Sequence, residues 1–389
     1  MAGNAKQEPR FTVLRMLFAQ RYEQGFRRRR LTCRDEFFAS CEAGWQDVGR
    51  FIRTIRMSHI HIVNSLDAAA GGSAISAIEL ARVLSRRGAV TLWASETPGL
   101  PLLDRAARYG LDVRTIRPYG GAMPRGGTLV IGGVFLRLGP WLEYARPSRL
   151  IVLVNTIEYR DVFSTLMQMR AYRMPEAELV HVAALVRDSV GLPGVVFPSR
   201  VNLDELPMRE PPPDRAFTVG RLSRDEPDKH HGEDPLIYRM LAADGCRVRV
   251  MGGTCLAAAL PDRRYPTRAG DGAIELLPFG AEPVPAFLAS LDAFYYRTGA
   301  FSEAFGRVVA EAMARGIPLV CGPIGGFVEQ VEDGINGLIA YSTEDAYDLL
   351  QRLRHEPGFA RGVAIAARRT VERMYSDEAN RVVQDYYLG

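Results

Sequence analysis

Residues 293–318 read AFYYRTGAFSEAFGRVVAEAMARGIP, and the order of events along them decides the fold. The apolar, aromatic run from Ala293 to Tyr296 has the composition of a buried strand. A loop carrying Glu303 follows, then a helix expected from about Phe305 to Ala314, closed by Gly316 with Pro318 beyond it. Leu319–Cys321 is strand-like again. Strand, loop, helix and strand in this order build a parallel crossover unit.

Two carboxylates in this stretch, Glu303 and Glu311, have different surroundings. Glu303 precedes the helix at its positive end, whereas Glu311 lies about one and a half turns inside, its side chain tilted back towards the N-terminus. Between them the amides of Ala304, Phe305 and Gly306 are free to bind anionic oxygens. A carboxylate accepts hydrogen bonds from vicinal hydroxyls, so a sugar and a ribose on either side of a diphosphate suit this layout. The ordinary reading of two glutamates near a helix is a solvated face. The Gly and Pro punctuation, with Phe305 alongside, argues instead for a ligand site.

Reading outward, the alternation continues in both directions. Towards the C-terminus, Gly337–Ala340 is a further strand, and Thr343-Glu344-Asp345 opens a helix ending near His355. Towards the N-terminus, strands are expected at Phe217–Val219, Cys246–Met251 and Ile274–Leu276. The first of these runs into Gly220-Arg221-Leu222 and on to Lys229. Lys229 is one of only two lysines, the other being Lys6, among 49 basic residues. A chain that otherwise uses arginine has kept a compact ammonium here. Arg221 and Lys229 are therefore assigned to an anionic group, where they would stabilise the charge of a leaving diphosphate. Gly252 and Phe279 stand in strand-end loops that could line a nucleobase pocket. His230-His231 lack acidic or cysteine companions at metal spacing, so a loop contact or solvent is expected there, and no metal.

Residues 206–215 (LPMREPPPDR) are proline-rich and polar, and read as a linker. Before them the alternation occurs a second time. His59–Asn64 is a strand, Gly71-Gly72 closes a small-residue loop, and a helix runs from about Ser73 to Arg87. Further strands are expected at Val90–Ala94, Leu129–Ile131, Leu150–Val154 and Val195–Phe197. The fold class is thus α/β: two Rossmann-like, doubly wound domains facing across a cleft, with ligands beyond the carboxyl ends of the strands. The domains expected are 57–206 and 216–372, joined by a linker at 207–215.

Residues 1–56 carry 12 Lys+Arg against 6 Asp+Glu, and the rest of the chain 37 against 39. The net charge of +4 therefore belongs to the tail, and composition offers no basic patch for nucleic acid on the folded part. Two readings of the tail stand: upstream sequence ahead of a start at Met57, or a basic arm that touches anionic lipid at a membrane. No leader pattern is evident, since Arg15 interrupts Phe11–Phe18, and no apolar run approaches about 18 residues, so a cytoplasmic location is expected. Five scattered cysteines, with no CxxC, suggest neither disulfides nor zinc.

These residues resemble the GT-B family 4 of retaining glycosyltransferases (glycosyl transferases group 1). The likeness covers most of residues 57–389 and is strongest from Gly220 to Leu338. It rests on the E-x7-E pair Glu303 and Glu311, on Gly220-Arg221-Leu222 with Lys229, on Gly71-Gly72, and on residues 197–202 (FPSRVN). The resemblance implies a nucleotide-diphosphate sugar donor held by the C-terminal domain, a glycan or lipid-linked acceptor, no cofactor, no metal, and retained anomeric configuration. It implies Glu311 on the ribose, Glu303 near the transferred sugar, and residues 373–389 returning as a helix to the N-terminal domain. Family members commonly carry a histidine where Asn155 stands. Asparagine can hydrogen-bond a sugar hydroxyl but cannot take a proton. Two alternatives therefore stay open: an epimerase or hydrolase on the same scaffold, and a binding subunit without chemistry.

Overall fold

The computed structural model describes residues 59–67, 71–134, 136, 138–210, 215–261, 273–300 and 302–389. The basic tail, Cys33 and Cys41 lie outside these residues.

The first half builds a sheet from β1 (Ile60–Asn64), β2 (Val90–Ala94), β3 (Asp112–Thr115), β4 (Thr128–Ile131), β5 (Arg149–Val154), β6 (Ala177–His181) and β7 (Val195–Val196). Its helices are α1 (Gly72–Ser85), α2 (Leu100–Arg108), α3 (Leu142–Ala145), α4 (Tyr159–Ala171) and α5 (Ala184–Val190). The spatial order is β3-β2-β1-β4-β5-β6-β7, and every pairing is parallel. All five residues of β1 are buried, as a parallel strand covered on both faces requires.

The second half repeats the scheme with β8 (Thr218–Leu222), β9 (Arg247–Met251), β10 (Ala273–Leu277), β11 (Ala293–Tyr296), β12 (Leu319–Cys321) and β13 (Leu338–Ile339). Helices α6 (Asp234–Ala243), α7 (Val284–Ala289), α8 (Arg307–Ala314), α9 (Thr343–His355), α10 (Pro357–Met374) and α11 (Asp377–Leu388) complete the chain. The order is β10-β9-β8-β11-β12-β13, again parallel throughout. In each sheet the order reverses beside its first strand, between β1 and β4 and between β8 and β11. Loops leaving the two strands at such a point diverge and open a crevice.

Among the described residues three apolar clusters account for the packing. One lies under α1 and joins it to Val383 and Tyr387 of α11. Another fills the outer face of the second sheet. The third is shared by both halves, running from Val63 and Ile131 through Phe294 and Val309 to Val371 and Tyr375. Val383 and Tyr387 are almost wholly buried, each worth about 1.5–3 kcal/mol. Polar ties fix the register of α11: Gln384 donates to the Val83 carbonyl (2.6 Å) and Arg149 donates to that of Tyr386 (2.6 Å).

Several expectations shift. Strands β3 and β6 have no clear signal in the sequence. The first is an edge strand half open to water, and the second carries Glu178 at its second position, whose carboxylate Arg149 and Tyr386 satisfy from outside the strand. Helix α8 begins at Arg307, two residues late, because Gly306 takes φ +74° and ends the loop in a left-handed turn. Residues 207–210 are tied down: Arg315 donates to the Pro207 carbonyl, and Arg209 bonds both Arg315 and Asp292. Cys246, Cys255 and Cys321 are free thiols. Among the described residues no helix is long and apolar enough to cross a membrane.

Burial pushes His61, His181 and His230 down to about 4 each, from an ordinary value near 6.5. In the unfolded chain they protonate near 6.5; in the folded protein they stay neutral to about 4. The unfolded state therefore binds more protons between those limits, and stability is lost as pH falls. By pH 5 the loss is about 2 kcal/mol per histidine. The melting temperature should hold steady above pH 6.5 and fall steeply towards pH 5. A flat profile over that range overturns the assignment.

Candidate functional site

The crevice of the second sheet is built by the loops after β8 and β11. Lys229, at the end of the first loop, is 5% exposed. Its Nζ donates to Glu303 Oε2 at 3.1 Å, and the Tyr296 hydroxyl donates to the same oxygen at 3.0 Å. Burial lowers the Lys229 pKa, and the Glu303 carboxylate opposes that shift. Residues 74 apart in sequence are thus brought into one ion pair at the strand reversal.

Arg221 departs from its expected place. It is 0% exposed and does not reach the crevice. Its guanidinium lies 4.7 Å from the centre of the Tyr296 ring, donates to the Lys229 carbonyl, and comes within 3.8 Å of Asp234 Oδ2. Asp234 is fully buried too, accepting from Tyr295 Oη at 2.8 Å and from the His231 amide at 3.0 Å. Desolvation raises the Asp234 pKa, with Arg221 opposing it. Arg221 is therefore a positioning residue: it fixes the backbone of Lys229 and stacks on the ring that holds Glu303. Removing either member of a buried ion pair typically costs about 3–5 kcal/mol.

His230 is a buried loop contact. Its Nε2 meets the Gly252 carbonyl at 2.9 Å. Gly252 has φ +82°, and a Cβ there would stand 1.8 Å from the Ser223 carbonyl. Only glycine lets the loops after β8 and β9 lie this close. Phe279, in the loop after β10, is 47% exposed.

Gly306 turns the chain into α8. The amides of Ala304, Phe305 and Gly306 make no hydrogen bond within the described residues. The Phe305 carbonyl is held by Gln330 at 2.6 Å, and Gly326 donates to the Glu303 carbonyl at 2.8 Å. Glu311 sits inside α8, 8% exposed, and its Oε1 accepts from Arg307 at 2.7 Å.

The facing wall comes from the first sheet. A Cβ on Gly71 would lie 3.3 Å from Cδ of Arg224, and one on Gly72 3.2 Å from Cδ of Arg307. The glycine pair thus meets two arginines of the other half. Behind it, Ser73 Oγ receives hydrogen bonds from Asn64 (3.1 Å) and Asn155 (3.0 Å) and donates to the Gly132 carbonyl (3.1 Å). Among the described residues the Asn155 Oδ1 has no hydrogen-bond partner. Glu329 reaches across the halves to accept from the amides of Ala184 (2.9 Å) and Leu185 (2.5 Å) at the start of α5. Arg307, Arg224, Tyr296 and Ser73 are the residues to which sequence reasoning gave no role in the site. Only Arg307 left a trace, four residues before Glu311. Among the described residues no group of three or more His, Cys, Asp or Glu could hold a metal ion.

Comparison with known proteins agrees with this architecture. The family model for glycosyl transferases group 1 matches residues 272–370. The D-inositol 3-phosphate glycosyltransferase of Streptomyces bingchenggensis is 27% identical over 164 residues, 40% of this chain and 34% of that protein. The match therefore spans about a third of that relative. Among solved structures, Anabaena Alr3699/HepE in complex with UDP-glucose superposes with a TM-score of 0.64 at 14% identity, covering 85% of this chain and 98% of that one. A glycosyltransferase from Rickettsia africae gives 0.62 at 15% identity, covering 86% and 97%. At such identities the likeness is one of fold.

Gly252→Ala should destabilise the protein by about 2–3 kcal/mol or more, read from urea unfolding, because it combines a strained φ with a backbone collision. Wild-type stability in this variant overturns the geometry described for the loops after β8 and β9.

Proposed function

We propose that the chain is a retaining glycosyltransferase of the GT-B family 4 type, moving a sugar from a nucleotide-diphosphate donor to an acceptor hydroxyl. The observation that carries this reading is the meeting of Lys229 and Glu303 at the strand reversal of the second sheet, next in sequence to the amides of 304–306, which make no hydrogen bond within the described residues. The match of residues 272–370 to glycosyl transferases group 1 supports it.

The proposed roles follow from the charges. Lys229 and the amides of Ala304, Phe305 and Gly306 meet the diphosphate, the first as a cation and the others as oriented dipoles at a helix start. Glu303, already anchored through Oε2, offers Oε1 to hydroxyls of the transferred sugar. Glu311 offers Oε2 to the ribose. Arg221 acts behind them by holding Lys229. Bond breaking between the anomeric carbon and the phosphate oxygen builds positive charge on the sugar ring, as in glycoside hydrolysis. The described crevice brings no second carboxylate to Glu303 as a nucleophile. The acceptor oxygen then bonds the anomeric carbon on the face that the diphosphate leaves, and its proton passes to the departing phosphate oxygen. The acceptor lies against Gly71, Gly72 and Asn155. A bacterial envelope glycan or a lipid-linked glycan, met at the inner face of a membrane, is the acceptor class proposed.

A second reading, nucleotide-sugar binding without turnover, is favoured by one observation: Asn155 can accept a hydroxyl hydrogen bond but cannot move a proton. Product analysis with and without acceptor separates transfer from hydrolysis and from silence.

A thermal-shift screen against UDP-, GDP- and ADP-sugars tests the donor, since a ligand that binds only the folded state raises the melting temperature by mass action. One nucleotide class should stand out. Lys229→Ala and Glu311→Ala should each abolish transfer while circular dichroism stays as in wild type. Near-normal turnover in either overturns the site.

A further inference from the structure

We infer that Arg307 is a positioning residue that sets the ribose grip of Glu311 according to how the two halves meet; this rests on the donor reading above. The Arg307 guanidinium spends its two outer nitrogens on different halves of the site. Nη2 donates to Glu311 Oε1 at 2.7 Å, and Nη1 donates to the carbonyl of Arg200, in the segment that crosses from the first sheet to the second. Its stem lies against Gly72, where a Cβ would come within 3.2 Å of Cδ. The side chain is only 10% exposed. One planar fork thus joins α8, the crossover backbone and the start of α1.

Local helix energetics do not explain this placement. Arg307 is the first residue of α8, where the free amides and the helix dipole disfavour a cation. An Arg placed N-terminal to Glu at i,i+4 is also the weaker order of such a pair. Residues that break a local rule without a local gain are where function is expected. Here the gain is geometric. Arg307 engages Oε1, and among the described residues no hydrogen bond engages Glu311 Oε2, which leaves that oxygen for the vicinal hydroxyls of a ribose. Because the other arm of the fork is held by the Arg200 carbonyl, the orientation of the carboxylate depends on the halves being together. The bidentate fork is the reason for arginine, since a lysine ammonium cannot reach both acceptors in one plane.

The test compares calorimetric affinities of UDP, GDP and ADP with those of their 2′,3′-dideoxy forms, for wild type, Arg307→Met, Arg307→Lys and Glu311→Gln. Wild type should prefer the ribose form of its nucleotide by about tenfold or more. Arg307→Met and Glu311→Gln should both bring that ratio to within about threefold, with Arg307→Lys in between. A merely structural role would weaken both forms equally and leave the ratio alone. If Arg307→Met fails to fold, Arg307→Lys is read on the same ratio. An unchanged ratio in the Arg307 variants, with the ratio lost in Glu311→Gln, overturns this inference and leaves the donor reading intact. A wild type with no ribose preference overturns the two together.

Discussion

A lysine held almost out of water is stable as a cation only beside a counter-charge, and the Lys229–Glu303 pair supplies it. Desolvation works against the ammonium, and a carboxylate at 3.1 Å works for it. A partly buried pair gains from its attraction only when its geometry is fixed and its remaining polar atoms are satisfied. The surrounding residues fix that geometry. Tyr296 holds the carboxylate, Arg221 holds the lysine backbone and lies over the Tyr296 ring, and Asp234 compensates Arg221. The crevice is therefore polar because of a second row of charge that never touches it.

This arrangement also explains the glycines. Gly252 lets the loops after β8 and β9 close over His230, and Gly306, in a left-handed turn, ends the loop that carries Glu303 and starts the helix that carries Glu311. Gly71 and Gly72 make room for Arg224 and Arg307 from the facing half. Gly252 marks a point where two pieces of backbone come closer than a side chain allows, Gly306 packs against Phe327, and at Gly71 and Gly72 an arginine stem takes the space beside the backbone. The two halves are joined by the same economy: the shared apolar cluster, the Glu329 carboxylate on the first amides of α5, and α11 returning to α1.

How much of this could be read beforehand depends on range. The strand at Ala293–Tyr296 and the helix ending at Ala314 follow from apolar runs and punctuation within a few residues of each other. Strands β3 and β6 escaped because an edge strand and a strand with a paired glutamate near its start lack a continuous apolar run. Lys229 was legible from composition, as a lysine in a chain that otherwise uses arginine. Arg221 was read as a cleft residue from its position after a strand. Only the packing of Asp234 and Tyr296 against it turns the guanidinium inward.

By itself, the sequence determined the α/β alternation, its repetition in two halves, and the two loops that carry the charged residues. These depend on hydrophobic period and on glycine and proline, which act over a few residues. The tertiary structure alone decided which charges meet. Lys229 finds Glu303 across 74 residues, Arg307 finds Arg200 across 107, and Arg221 is withdrawn into the core. The physical reason is that local periodicity fixes which face of an element is buried. Which buried charge is neutralised, and by whom, is settled only when the strand order brings distant loops to the same end of a sheet.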